Sequence, residues 1–90
     1  MTTLPKIFAY VINGRKDNNI LFSDLLRLLD SLGFKHRVKG SHHIYWHESI
    51  KEIINIQPDE NSAKAYQVKQ VRNIILKYEL KIKNEKWEDK

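Results

Sequence analysis

The apolar residues of this chain change their spacing at Gly33, and that change decides the class of fold. Before Gly33 they recur three and four positions apart, as on one face of a helix: Leu25, Leu26, Leu28, Leu29 and Leu32. After it, apolar or aromatic residues alternate with basic ones from Phe34 to Lys39, which is typical of a strand with one wet face. Helical spacing returns between Tyr66 and Tyr78. The chain therefore combines helices with a sheet.

Two helices are predicted ahead of the strands and one after them. The first runs from about Leu4 to Asn13 and stops at Gly14, which readily takes the left-handed conformation of a helix end. The second begins at Ser23, whose hydroxyl is placed to accept a backbone N–H and cap the helix. The third spans roughly Tyr66 to Tyr78.

Three short strands are expected between the second and third helices, at 34–39, 42–46 and 53–57. Gly40 and Ser41 form a tight turn between the first two, and a reversal spans 47–52. Because three antiparallel strands cannot bury an apolar face alone, the helices must cover one side of the sheet. The predicted fold class is α+β, a two-layer domain in the order α-α-β-β-β-α with the other sheet face open.

The length of 90 residues predicts one domain with a modest core, spanning 1–90. The charged segment 81–90 reads as a tail that packs poorly. The sequence has no cysteine, which fits a reducing compartment and removes thiolate metal ligands. No apolar run reaches about 18 residues and no signal-peptide pattern occurs, so we expect a cytoplasmic protein that does not cross a membrane.

The basic residues are unevenly distributed within a net charge of +5. Residues 34–47 contain no acid and three cations: Lys35, Arg37 and Lys39. Residues 64–83 hold six Lys and Arg residues against the single acid Glu79, and two of them, Lys69 and Arg72, share one side of the last helix. Such clusters favour an anionic partner, either nucleic acid or an acidic protein surface.

The chain concentrates its four histidines around the Gly40-Ser41 turn: His36, His42, His43 and His47. Glycine and serine allow close backbone approach to an anion, and histidine can exchange a proton near neutral pH. With neighbouring cations, this set suits metal-free phosphodiester cleavage, in which a histidine deprotonates an RNA 2′-hydroxyl or protonates the leaving oxygen. Adjacent strand residues face opposite ways, so His42 and His43 are not expected to act together.

Three other interpretations of these histidines remain. A zinc or nickel site is disfavoured by the lack of cysteine and by the opposed faces of His42 and His43, so no metal ligand is assigned. Ordinary packing beside the aromatic residues of the strand is favoured for His36, His43 and His47. The cluster could also bind RNA without cleaving it.

The stretch "LFSDLLRLLDSLGFKHRVKGSHHIYWH", followed by "EIINIQ" and "AKAYQVKQVRNII", resembles the HicA-type mRNA interferase toxins of toxin–antitoxin modules. The resemblance covers about 20–80, and its anchors are the Leu-rich helix ending at Gly33-Phe34, the Gly40-Ser41-His42 turn and the helix over 67–75. It implies a double-stranded-RNA-binding-domain-like fold and an endoribonuclease that cleaves mRNA to block translation. It also implies a HicB-type antitoxin partner that covers the active site, and no cofactor.

The resemblance places the catalytic histidine, which follows Gly-Ser in the family, at His42. Candidate auxiliary residues are His43, Ser41 and Gly40, and RNA binding is expected of a basic set: Arg37, Lys39, Lys69 and Arg72. The helix at 4–13 is extra relative to the minimal family domain, and "QPDENSAKAYQ" replaces a Pro/His-bearing loop. Two alternatives stay open, a non-catalytic RNA-binding domain of the same fold and a protein-interaction module for an acidic partner.

Overall fold

A computed structural model describes residues 2–82 of the chain. Its elements are α1 (Leu4–Asn13), α2 (Phe22–Ser31), β1 (Lys35–Lys39), β2 (His42–His47), β3 (Ile50–Ile56) and α3 (Ala65–Tyr78). The strands form one antiparallel sheet in the order β1-β2-β3. The predicted α+β class and the predicted order of elements are confirmed.

The two N-terminal helices differ in how their ends are fixed. Gly14 has φ of 74° and ends α1 in the predicted left-handed conformation. The prediction that Ser23 caps α2 is wrong, because the helix begins at Phe22 and no side chain caps it. The N–H of Phe22 donates instead to the carbonyl of Asn61 at 2.9 Å, so a loop later in the chain accepts one of the free N–H groups at the start of the helix.

Strand β3 begins at Ile50, three residues before its predicted start, and the predicted reversal at 47–52 is wrong from Ile50 onward. Lys51 and Glu52 are charged, so this part of the strand lacks the apolar pattern from which a strand is predicted. Glu52 faces α3, where it accepts hydrogen bonds from Lys77 at 2.9 Å and from the Tyr78 hydroxyl at 2.5 Å. A register shift in the β2–β3 ladder accommodates the additional residues of β3.

The core lies between the helices and one face of the sheet. Helix α1 belongs to it, since Ile7 and Val11 are 1% and 0% exposed. The largest other buried hydrophobic side chains come from α2 and the residue that follows it, and from β2, β3 and α3: Leu25, Leu28, Leu29, Leu32, Tyr45, Ile54, Ile56, Val68 and Val71. Ile82 is also buried, so packing continues two residues into the predicted tail, whose remainder at 83–90 lies outside the described residues.

A partly buried ion pair fastens α3 to α1 and to the loop that follows it. Nη1 of Arg72 donates to the two carboxylate oxygens of Asp17 at 3.0 and 3.2 Å and to the carbonyl of Val11 at 3.1 Å. A Cβ on Gly14 would lie 3.1 Å from this nitrogen, so the glycine permits the close approach of the guanidinium. The extra N-terminal helix is therefore joined to the last helix by polar contacts as well as by packing.

The two faces of the sheet have different surroundings. On the covered face, Tyr45 is fully buried and its ring stacks on His36 at 4.5 Å. Strand β1 is exposed along its whole length, however, and Val38 is 53% exposed although it points to the same side as the core. The covered side of β1 is therefore less shielded than the alternation suggests, because the helices bury residues of β2 and β3 and reach this edge strand through the pair between Asp30 of α2 and Nδ1 of His36 at 3.3 Å.

Candidate active site

Gly40 and Ser41 close the β1–β2 hairpin. Gly40 has φ of 63°, and a positive φ at the first of two turn residues is the arrangement of a type II′ turn, which favours glycine. A Cβ at Gly40 would meet no atom within 4 Å, so the backbone conformation and not space requires glycine here. The Ser41 hydroxyl donates to Oε1 of Gln57 at 3.1 Å, which attaches the turn to the chain just beyond β3.

His42 is the first residue of β2 and faces the open side of the sheet. Lys39 is its cross-strand partner, and Arg37 lies two residues back along β1, so the three side chains share one face. All three are exposed, and among residues 2–82 neither Arg37 nor Lys39 takes part in an ion pair. This group, which we call the open-face group, places a proton-transfer side chain beside two cations that are available to an anion.

Asn55 holds the ring of His42. Its Oδ1 lies 3.0 Å from Nδ1 of the histidine, and its backbone pairs with Ile44, two residues along β2 from His42. No sequence motif marks Asn55 as a functional residue. The register between β2 and β3 would have identified it as a neighbour of His42 on the open face, but that register depends on where β3 begins.

His43 faces the helices, as strand alternation predicts. Its ring packs edge-on against Phe22 at 5.1 Å and lies parallel to His36 at 6.4 Å. Its Nδ1 is buried and has no hydrogen-bond partner among the described residues. Burial, and to a smaller extent repulsion from His36, lowers the pKa of His43. The structure therefore does not bring His43 to the open-face group.

The lowered pKa of His43 predicts that acid weakens the fold. Its pKa is below the ordinary 6.5 only in the folded chain, so the unfolded chain binds this proton more readily. The free energy of unfolding should be highest above pH 6.5, the ordinary pKa of histidine, and should fall as the pH drops from about 7.5 to about 5.5. Urea titrations across this range test it, and His43→Phe should flatten the decline.

The matched control for this pH dependence is His47→Gln, which removes another histidine of the same strand and should retain the decline. A His43→Phe protein with the wild-type pH dependence would contradict the assignment. The ring of His36 lies 6.4 Å from that of His43, and Asp30 pairs with His36 at 3.3 Å, so both residues are left unchanged in the comparison.

Lys69 and Arg72, both expected from the sequence to bind RNA, lie in the helical layer. Arg72 is engaged by Asp17 and Val11, whereas Lys69 is exposed on α3. Helix α3 packs on the covered face of the sheet, so neither residue shares a face with His42. The structure brings together only part of the predicted basic set.

Other features near the hairpin do not add to the open-face group. An open cavity of about 490 Å³ lies beside His43 on the covered side, between the start of α2 and the loop after β3. Within residues 2–82, no three His, Cys, Asp or Glu side chains converge as a group able to hold a metal ion. None of the helices described is both long and apolar enough to cross a membrane.

The model of the family described as HicA toxin of bacterial toxin-antitoxin matches residues 22–78, from the first residue of α2 to the last of α3. The chain belongs to the HicA toxin family and is the toxin of a toxin–antitoxin module, with an antitoxin as its partner. No curated protein and no solved structure matches the chain. Helix α1 lies outside the family match.

Proposed function

We propose that this toxin is an endoribonuclease that cleaves mRNA without a metal ion and thereby blocks translation. The observation that supports it is the open-face group: an exposed histidine beside two cations that form no ion pair within residues 2–82. His42 is the proton-transfer residue, and Gly40 and Ser41 shape the turn at which the phosphate lies. A HicB-type antitoxin neutralises the toxin by covering this face.

The proposed chemistry is an internal transesterification of RNA. Nε2 of His42 takes the proton of a 2′-hydroxyl, and the 2′-oxygen attacks the adjacent phosphorus. The bond from phosphorus to the 5′-oxygen breaks, and that oxygen takes a proton from solvent. The products are a 2′,3′-cyclic phosphate and a 5′-hydroxyl. Lys39 and Arg37 stabilise the additional negative charge that develops on the phosphate oxygens.

The cations of β1 also give the RNA a path across the sheet. Lys35, Arg37 and Lys39 point to the same face and repeat about every 7 Å along the strand. Lys35 is paired with Glu48 at 3.0 Å, an exposed contact of little energetic weight. Phosphates of an extended RNA strand can therefore follow β1 toward His42.

The experiment that tests this function is cleavage of a defined RNA oligonucleotide in the presence of a chelator. We expect cleavage to persist and to leave 2′,3′-cyclic phosphate and 5′-hydroxyl ends. A DNA of the same sequence should remain intact, because it lacks the 2′-hydroxyl that acts as nucleophile. Loss of activity with chelator, or equal cleavage of the DNA, would refute the mechanism.

A non-catalytic RNA-binding domain is the second candidate, and the same exposed cations, Arg37 and Lys39, favour it. It predicts RNA affinity that falls steeply as salt is raised, with no products at any protein concentration. The two candidates are therefore separated by whether RNA bound at His42 is cleaved.

A further inference from the structure

The side chain of Asn55 contacts His42 on the open face of the sheet. We infer that Asn55 is a positioning residue, which holds the His42 ring in the tautomer that leaves Nε2 free to accept a proton. The catalytic consequence of this inference rests on the proposed ribonuclease function, whereas the tautomer itself does not.

The direction of the hydrogen bond follows from the atoms that form it. Oδ1 of Asn55 lies 3.0 Å from Nδ1 of His42, and an amide oxygen can only accept. Nδ1 must therefore carry the proton, so Nε2 of the neutral ring holds a lone pair and lies at the far side of the ring from Asn55. This is the nitrogen that the proposed transesterification uses as its base.

The sheet fixes Asn55 in place. Its backbone is paired with Ile44 in the β2–β3 ladder, so the two side chains that form the hydrogen bond belong to adjacent, hydrogen-bonded strands. Gln57, two residues further along the chain, accepts from Ser41 and also provides its carbonyl to the buried side chain of Gln67 at 3.2 Å. The end of β3 is thus held both to the hairpin turn and to α3.

His47, on the same strand, provides an internal contrast. The backbone N–H of Ser49 donates to Nδ1 of His47 at 3.0 Å, and an N–H group can only donate. Nδ1 of His47 is therefore the acceptor, and its proton lies on Nε2. The first and last residues of β2 are therefore histidines whose hydrogen bonds favour opposite tautomers, and each tautomer follows from the partner of Nδ1.

The hydrogen bond to Asn55 also persists through the proposed proton transfer. When Nε2 takes a proton, both ring nitrogens become donors, and the bond from Nδ1 to Oδ1 becomes charge-assisted and stronger. Because the asparagine is neutral, it orients the ring without adding a negative charge beside the phosphate. An aspartate at this position would accept the same proton but would repel the substrate.

Nitrogen NMR of the histidine rings tests the tautomer directly and needs no RNA. In the wild-type chain we expect His42 protonated at Nδ1 and His47 protonated at Nε2. In Asn55→Leu, His42 should shift to the Nε2–H form and His47 should not change. A wild-type His42 already in the Nε2–H form, or a ring unaffected by the substitution, would overturn the inference.

Steady-state kinetics test the catalytic consequence. Asn55→Leu should lower kcat about 10-fold to 100-fold with little change in KM, because the ring loses its orientation and not its contacts with RNA. Asn55→Asp should recover much of kcat and should move the acidic limb of the pH–rate profile to higher pH. The matched control is Asn73→Leu, an exposed asparagine on α3, which should leave kcat unchanged.

The outcomes separate the two proposals. An active wild type whose kcat is unaffected by Asn55→Leu would overturn the positioning role. A wild type that cleaves no RNA would refute the proposed function, and the NMR result would then decide the inference alone. Thermal unfolding of each variant shows whether a loss of rate comes from loss of fold.

Discussion

Replacing His42 by alanine is expected to lower RNA cleavage at least about 10²–10³-fold and to abolish growth arrest when the chain is expressed without an antitoxin. The reason is geometric. Among the described residues, His42 is the histidine on the open face, while His36, His43 and His47 lie toward the covered face. No neighbouring histidine can therefore replace its proton transfer. Initial rates on a defined RNA measure the effect.

Two comparisons make the His42 result specific. The thermal stability of His42→Ala should match that of the wild type, since the ring is exposed and its described polar contact is to Asn55 alone. The variant should also bind RNA with nearly unchanged affinity, because Arg37 and Lys39 remain. Equal growth arrest by wild type and His42→Ala would refute catalysis by this residue, and His47→Gln serves as the active control.

The second large effect is expected on stability. Arg72→Ala should reduce the free energy of unfolding by about 2–3 kcal/mol, below the range for fully buried ion pairs because both side chains retain some contact with water. The change leaves the Asp17 carboxylate, whose side chain is 12% exposed, without its cation. It also leaves the Val11 carbonyl without its donor. Such a loss is a large part of the stability of a small domain, and urea titration measures it.

The controls for Arg72 distinguish a structural role from RNA binding. Lys69→Ala, three residues away on the same helix and exposed, should change stability by no more than about 0.5 kcal/mol. Asp17→Asn combined with Arg72→Ala should cost less than the sum of the single changes, as expected for groups in direct contact. An Arg72→Ala protein of wild-type stability that binds RNA poorly would contradict this role and would support the RNA-binding role expected from sequence.

The helices and the sheet could be predicted because their signals are local. The apolar spacing before Gly33, the alternation after it and the glycine at position 14 each act within a few residues of chain. The opposed directions of His42 and His43 follow from the same alternation. These features located the hairpin and separated His42 from His43, whereas the pairing of His42 with Lys39 in the structure shows which face His42 occupies.

The remaining features depend on partners far along the chain. Arg72 and Asp17 are 55 residues apart, and a basic residue on an amphipathic helix looks the same whether it meets RNA or a carboxylate. The start of α2 is satisfied by Asn61, which no local capping rule would identify. Asn55 could not be predicted as a neighbour of His42 without knowing how β3 pairs with β2. That pairing depends on where β3 begins, and its charged first residues do not show a strand pattern.

Because β1 is exposed on both faces, the open-face group is expected to open locally at this strand first. This strand is held by its ladder to β2 and by little buried apolar surface, so it belongs to the part of the fold that opens most readily. His42 and Asn55 lie on the other two strands, which the core anchors. Brief detachment of the edge would withdraw Lys39 and Arg37 while the histidine stayed oriented. Amide hydrogens of β1 would then exchange with solvent faster than those of β3. Arg37 and Lys39 would be next to His42 for only part of the time.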